Sequence, residues 1–180
     1  MNALKPQPPL PAGIDEVERL YREHHEMVLR TAYRLTRSMG DAEDVLHSVF
    51  TRLMQREESF EAGVNPGPYL HRAAVNAAID ILRRRQRIVP LEAVGPSEDA
   101  TEESQTGFVS RRELGERLRA ALARLPQRAA EIFVLRHVEG YSNQEIGRLL
   151  GLSWGSVAVT VHRARRRLQT ELLAEGRARS

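Results

Sequence analysis

Apolar residues recur at intervals of three and four along most of the chain, and no segment alternates strictly between apolar and polar positions as a β-strand does. In the N-terminal half this pattern predicts helices over residues 15–38 and 42–56. Gly40 is expected to end the first in a left-handed conformation, and Asp41 to cap the second. A third predicted helix starts near Pro66 and Pro68 and ends at residue 87.

Residues 88–110 interrupt the helical pattern. They contain five acidic side chains, no basic one, two prolines and two glycines. This composition predicts a flexible acidic linker, with a long structured loop as the alternative.

Helical spacing resumes after the linker, over residues 111–125 and from Pro126 to about Gly140. Ser142 and Glu145 have the spacing of a capping box and start a short helix, and a glycine-containing turn over residues 151–153 leads into a last helix that ends near residue 171. A short helix, a turn and a longer helix form a helix-turn-helix. We therefore predict an all-α fold of two small helical domains joined by the acidic linker. The expected units are a tail (1–13), a first domain (14–87), the linker (88–110), a helix-turn-helix domain (111–175) and a second tail (176–180).

Charge is divided unevenly between the two halves. Residues 1–110 carry 13 basic and 17 acidic side chains, a net charge of −4, whereas residues 111–180 carry 14 basic and 7 acidic, a net charge of +7. The C-terminal part is therefore expected to meet a polyanion. The chain has no cysteine, which excludes disulfides, cysteine-bound zinc and thiol catalysis. No apolar run approaches a membrane span and the proline-rich N-terminus is not a secretory signal, so we expect a cytoplasmic protein without membrane contact.

The last helix divides into an apolar face and a basic face. Val157, Val161, Ala164 and Leu168 fall within one narrow arc, which is the expected core face. In a major groove the opposite arc would present a valine to thymine methyl groups, a histidine or arginine to base edges, and further arginines to phosphates. The alternative is a surface helix with solvated arginines. Trp154, at the start of this helix, is either a partner contact or a core residue.

Two short patterns suggest enzymes and are set aside. Residues 151–155 match the G-x-S-x-G motif of a hydrolase elbow, but that motif acts between a strand and a helix, so Ser153 is better explained as a helix cap. His24, His25 and Glu26 resemble the start of a zincin motif, but Leu29 stands where the second histidine ligand would be. We therefore expect no enzyme, no catalytic residue, no metal site and no cofactor.

Three segments together resemble the sigma-70 family of transcription initiation factors. Residues 41–50 resemble the helix that binds RNA polymerase, residues 69–85 resemble the promoter-melting helix, and residues 122–165 resemble the C-terminal helix-turn-helix. The resemblance covers about residues 17–173, in the two-domain form of the extracytoplasmic-function (ECF) group. It implies a sigma factor that binds core RNA polymerase, directs it to promoters and promotes DNA melting.

The resemblance also implies roles for individual residues. Contacts to core polymerase are expected from Asp41, Asp44, His47 and Phe50. The melted −10 element would be held by the loop 58–67 and the following helix, through Tyr69, Asn76, Asp80, Arg83 and Arg84. The duplex −35 element would be read by Ser156, Val159, Thr160, His162, Arg163, Arg166 and Arg167. The implied partners are core RNA polymerase, duplex −35 DNA, single-stranded −10 DNA and a cognate anti-sigma factor.

An alternative function is a stand-alone helix-turn-helix regulator whose N-terminal half is a sensor or dimerisation domain. Such a regulator binds duplex DNA tightly as the free protein and has no affinity for core polymerase. A sigma factor with one helix-turn-helix makes few phosphate contacts by itself and binds free DNA weakly.

Overall fold

The structure, a computed structural model, describes residues 14–55, 65–88 and 111–177. These residues form seven α-helices and no strand, as the sequence pattern predicts. The helices are α1 (Ile14–Thr36), α2 (Met39–Gln55), α3 (Gly67–Ile88), α4 (Arg111–Arg124), α5 (Gln127–His137), α6 (Asn143–Leu150) and α7 (Trp154–Arg177). The predicted tail 1–13, most of the loop 58–67 and nearly all of the acidic linker lie outside the described residues. No described helix is long and apolar enough to cross a membrane.

Helices α1, α2 and α3 pack on one another around an aliphatic core. Leu20 and Val28 of α1, Val45 of α2, and Leu70 and Ile79 of α3 are fully buried. Their helical spacing places them on the inward face of each helix, and this core continues into the apolar residues of the C-terminal half as one cluster.

The boundary between α1 and α2 differs from the prediction. Gly40 lies inside α2, and the left-handed residue is Arg37, with a φ of 55°. The Ser38 hydroxyl accepts a hydrogen bond from the Asp41 backbone N–H at 3.3 Å, so Ser38 takes the capping position that was predicted for Asp41. Only Arg37 and Ser38 separate the two helices, and they supply the left-handed residue and the cap. Both features therefore lie three residues before the positions that were predicted for them.

Helices α4 to α7 form the C-terminal half, in which α5 packs on α7 and α6 packs on both. Ile132, Leu135, Ile146 and Val157 are fully buried between them. The predicted capping box is present: the Ser142 side chain accepts from the Glu145 backbone and the Glu145 carboxylate accepts from Ser142 N–H at 2.8 Å. The helix-turn-helix is confirmed.

The two halves are in contact with each other. Helix α3 of the N-terminal half packs against α4 and α5 of the C-terminal half. One face of α3 is therefore covered by the other half, and this arrangement is called the closed arrangement below.

Candidate nucleic-acid interface

Helix α7 begins with a serine cap that turns its N-terminus outward. The Ser153 hydroxyl accepts from the Ser156 backbone N–H at 3.1 Å and lies 2.8 Å from the Ser156 hydroxyl. The predicted cap is thus confirmed, and helix α6 rather than a strand precedes it. A hydrolase elbow needs a strand at that position, so the geometry of this motif is absent here.

The predicted duplex-reading residues of α7 share one accessible surface, called the basic face. Val159 is 49% exposed and Thr160 is partly buried, its hydroxyl donating to the Ser156 carbonyl at 2.8 Å. Within the described residues Arg163 and Arg166 take part in no ion pair, whereas Arg167 pairs with Glu171 at 3.3 Å. The remaining predicted residues of this face, Ser156 and His162, are exposed. An exposed apolar position one turn before the first of two guanidinium groups that have no ion pair among the described residues can contact base edges while the arginines contact phosphates.

Trp154, which was undecided between core and contact, is 61% exposed on the first turn of α7. A large aromatic side chain at this exposure contributes little to the core. It adds apolar surface to the end of α7 that would enter a groove first.

The sequence prediction did not include Gly147, where α6 closely approaches the turn that leads into α7. A Cβ atom on Gly147 would lie 2.7 Å from the Leu152 carbonyl oxygen, whereas ordinary contacts are longer than 3.4 Å. The Leu152 N–H in turn donates to the Gly147 carbonyl at 2.8 Å. The signal was a glycine inside a strong helical pattern, which often marks a close backbone approach.

The predicted polymerase-binding residues of α2 do not all face outward. Asp44 and His47 are exposed, but Phe50 is only 5% exposed and meets Tyr21 edge-on, with ring centroids 5.0 Å apart. Phe50 therefore packs inside the N-terminal half. Asp41 is partly buried and pairs with Arg85 at 2.5 Å; burial raises the pKa of its carboxyl, and the nearby Arg85 charge opposes that rise.

The predicted strand-binding residues of α3 are divided between the closed interface and solvent. Asn76 and Arg83 contact the C-terminal half, Arg84 is exposed, and Tyr69 packs partly buried against the core. Asp80 is partly buried on the same helix. Two of the five residues are thus covered by the other half of the chain.

The acceptors that cover this face of α3 are oxygen atoms of α4, α5 and their connecting turn. Arg83 donates to the carbonyls of Ala123 at 3.2 Å and Leu125 at 2.6 Å, and to the Gln127 side chain. Asn76 donates to the Glu131 carboxylate at 2.9 Å. A neighbouring arginine that the sequence prediction did not include, Arg72, donates to the same carboxylate from Nε at 2.6 Å. Its signal was its position one turn before Asn76 on the same helix face.

A second polar cluster joins the halves around His71, which precedes Arg72 on α3. His71 Nε2 lies 2.5 Å from the Glu139 carboxylate and His71 Nδ1 lies 2.9 Å from the Tyr141 hydroxyl. Arg34 of α1 adds a longer contact to Glu139 at 3.4 Å. Burial, together with Glu139 and Glu145, raises the pKa of Tyr141, so its hydroxyl stays protonated across the neutral range.

Two protein families match this chain, in the order of its two halves. The family described as Sigma-70 region 2 matches residues 20–88, and the family described as Sigma-70, region 4, matches residues 115–168. The first match covers α1 to α3, and the second covers the helix-turn-helix.

Similar proteins extend over most of the chain. It is 37% identical over 167 residues to the ECF RNA polymerase sigma factor SigE of Mycolicibacterium smegmatis, which covers 89% of this chain and 63% of that protein. It is 36% identical over 155 residues to SigM of Mycobacterium tuberculosis, covering 84% of this chain and 74% of SigM. A sigma-E factor of Streptomyces coelicolor is 35% identical over 162 residues, covering 88% and 87%. The chain thus spans less than two thirds of the length of SigE.

Two solved structures share the fold. The sigma factor RpoE in complex with the anti-sigma factor NepR from Bartonella quintana has a TM-score of 0.51 at 20% identity, covering 88% of this chain and 98% of that one. CnrH in complex with the cytosolic domain of CnrY has a TM-score of 0.55 at 21% identity, covering 90% of each chain. At these identities the likeness concerns the fold.

Proposed function

Because this chain belongs to the ECF sigma factors of the sigma-70 family, we propose that it binds core RNA polymerase and directs it to promoters. It then promotes melting of the DNA at those promoters. The observation that carries the proposal is the order of regions 2 and 4 on one chain, with an exposed basic face on α7. The protein acts as a non-catalytic subunit of RNA polymerase in the cytoplasm. Its domains are residues 14–87 and 111–175, joined by the linker 88–110.

The duplex −35 element is bound by the basic face of α7. The free guanidinium groups of Arg163 and Arg166 and the exposed Val159 support this assignment, because they combine charge for phosphates with an apolar contact for a thymine methyl. The capped and exposed first turn of α7 adds Ser156 to this surface, since recognition helices present their N-terminal residues to base edges.

Core polymerase is bound by the exposed side of α2. Asp44 and His47 carry this role, and their exposure supports it. Asp41 contributes at the margin because Arg85 already holds its carboxylate, and the burial of Phe50 supports a packing role for that ring. The melted −10 strand lies along α3, where Arg84 is accessible and Asn76 and Arg83 become so when the halves separate. A cognate anti-sigma factor is the expected inhibitor.

Co-elution with bacterial core RNA polymerase on a sizing column tests the first step. We expect stoichiometric co-elution of the wild-type chain and its loss in Asp44→Arg. Glu26→Arg is the matched control, because Glu26 is an exposed carboxylate on α1 and its reversal changes the net charge equally. Absence of co-elution for the folded wild type, together with tight duplex binding by the free chain, would favour the stand-alone regulator.

Transcription of fragmented genomic DNA by the reconstituted complex, followed by sequencing of the transcripts, tests promoter selection. The double variant Arg163→Ala, Arg166→Ala is expected to lose about 10² or more in transcript yield from the selected promoters, since each good base contact contributes about 1–3 kcal/mol. Its co-elution with core polymerase should be unchanged. An equal loss of both activities would show that α7 is not a dedicated DNA-reading element.

A further inference from the structure

Glu131 is an almost fully buried carboxylate whose closest partners belong to the other half of the chain. Its residue is 2% exposed, and its Oε1 accepts from Arg72 Nε at 2.6 Å and from Asn76 Nδ2 at 2.9 Å. The contact from its own helix, Arg128, is longer at 3.4 Å. Separation of the halves would therefore remove both short hydrogen bonds of Glu131 at once.

The atoms of the C-terminal half that contact this face of α3 are oxygen acceptors, as are the phosphate and base oxygens of a nucleic-acid strand. Arg72, Asn76 and Arg83 all donate to oxygen atoms of the C-terminal half: a carboxylate, two backbone carbonyls and one side-chain amide. Arginine and asparagine donate in the same way to phosphate and base oxygens. The one bond in the other direction is from Gln127 Nε2 to Asn76 Oδ1, at 3.2 Å.

The closed interface combines apolar packing with many polar contacts. Its polar part consists of the Glu131 contacts, the Arg83 contacts, a hydrogen bond from Gln86 to the Ala120 carbonyl and the cluster of His71 with Glu139 and Tyr141, and it lies beside an apolar core that continues through both halves. A buried ion pair loses most of its Coulomb attraction to desolvation, so the Arg72–Glu131 pair itself adds little to the free energy of closure. Polar contacts between domains of one chain are typical of interfaces that open.

We propose that Arg72 and Asn76 form a phosphate-binding site for single-stranded DNA, and that Glu131 occupies this site in the closed chain. The carboxylate takes the place of a backbone phosphate, so the C-terminal half inhibits strand capture by the N-terminal half. Single-stranded DNA and Glu131 compete for the same two side chains. The inference rests on the proposed function, because it assigns Arg72 to the strand-capture step of that function and adds a built-in competitor.

Binding of a fluorescein-labelled oligothymidine strand to the free full-length chain tests the competition at low salt. Glu131→Gln keeps the shape of the side chain and removes its charge, and it should raise affinity about tenfold or more, because the open state becomes the major population. Glu171→Gln is the matched control: Glu171 also pairs with two arginines, Arg124 and Arg167, but all three lie in the C-terminal half. Its affinity should remain that of the wild type.

The variant Arg72→Glu distinguishes the separation of the two halves from the binding of single-stranded DNA. It places two carboxylates against each other and should open the halves, yet it removes the proposed phosphate donor, so the strand affinity should stay at or below that of the wild type. The same change in the Glu131→Gln background should abolish the tenfold gain. A gain that survives the loss of Arg72 would overturn the assignment of the site.

Opening is measured directly by energy transfer between two dyes. The chain has no cysteine, so Thr51→Cys and Gln169→Cys, both at exposed positions on opposite halves, give two clean labelling sites. Transfer should fall in Glu131→Gln and in Arg72→Glu, and remain unchanged in Glu171→Gln. Unchanged transfer and unchanged affinity in Glu131→Gln would overturn the proposal.

Co-elution with core polymerase distinguishes a failure of the competition between Glu131 and the strand from a failure of the proposed sigma function. Co-elution without any effect of Glu131→Gln would leave the sigma function standing and overturn only the competition. The opening and affinity changes without co-elution would overturn the sigma function while supporting Glu131 as the competitor for the strand site. Circular dichroism of each variant checks that its helical content equals that of the wild type.

Discussion

Gly147 is the position where one added methyl group tests the geometry of the helix-turn-helix. In Gly147→Ala the new Cβ would lie 2.7 Å from the Leu152 carbonyl oxygen, a backbone atom that has no flexible side chain to move aside. Such overpacking costs about 1–3 kcal/mol, and the better helix propensity of alanine returns about 0.5–1 kcal/mol. We therefore expect the free energy of unfolding to fall by roughly 1–2 kcal/mol.

Gly155→Ala is the matched control for this prediction. Gly155 lies in the next helix, and a Cβ there would have no heavy atom within 4 Å. The same substitution should then raise the unfolding free energy by about 0.5–1 kcal/mol, through helix propensity alone. The two variants share the same change in chemistry and differ only in the space around the new methyl group.

Urea denaturation followed by far-ultraviolet circular dichroism measures both variants. The expected separation between them is about 2 kcal/mol, which corresponds to roughly 4–8 °C in thermal midpoint for a chain of this size. Gly147→Ala should also weaken promoter-dependent transcription, because a shift at Leu152 changes the angle at which α7 meets DNA. If Gly147→Ala were as stable as Gly155→Ala, the close approach of α6 to the turn would not constrain this fold.

Two further changes test the packing and the titration of the described helices. Phe50→Ala should lower the free energy of unfolding by about 3–5 kcal/mol, because the buried ring packs against Tyr21. His47→Ala, on the exposed side of α2, should change that free energy by no more than about 0.5 kcal/mol. Urea denaturation of the two variants distinguishes a packing residue from a surface residue. Burial, with Arg136 and Arg165 nearby, lowers the pKa of His137 from its ordinary 6.5, so the unfolded state binds a proton at this residue more readily than the folded state, and the free energy of unfolding should fall as the pH drops through 6.5. His137→Asn should remove part of this pH dependence, which urea denaturation at a series of pH values measures. An identical pH dependence in the variant would contradict the lowered pKa of His137.

Local features of the sequence were sufficient to predict the helices and the turn that joins α6 to α7. The Ser142 and Ser153 caps and the capping box of Glu145 depend only on neighbours within one turn, so their spacing in the sequence carries the information. The same holds for the apolar stripe of α7, in which Val157, Ala164 and Leu168 are buried. The first interhelical turn shows the limit of such signals, since Arg37 and Ser38 took the positions expected of Gly40 and Asp41.

Long-range packing determined what each functional residue faces. Phe50 lies on the apolar stripe of α2 with Val49 and Leu53, so helical spacing already places its ring inward, and the packing of α1 against α2 supplies Tyr21 as its neighbour. Glu131 has no feature in its own helix that distinguishes it from a solvated carboxylate. Its burial exists because α3, 55 and 59 residues earlier in the chain, brings Asn76 and Arg72 to its side.

The sequence by itself therefore determined the helices, the caps of α6 and α7, the basic last helix and the family, because each rests on short-range spacing or on residue identity. Tertiary structure alone decided which of those residues are covered and by what. The closed contact of Arg72 with Glu131 depends on how the two halves of the chain meet, and no periodic pattern in either half encodes that meeting.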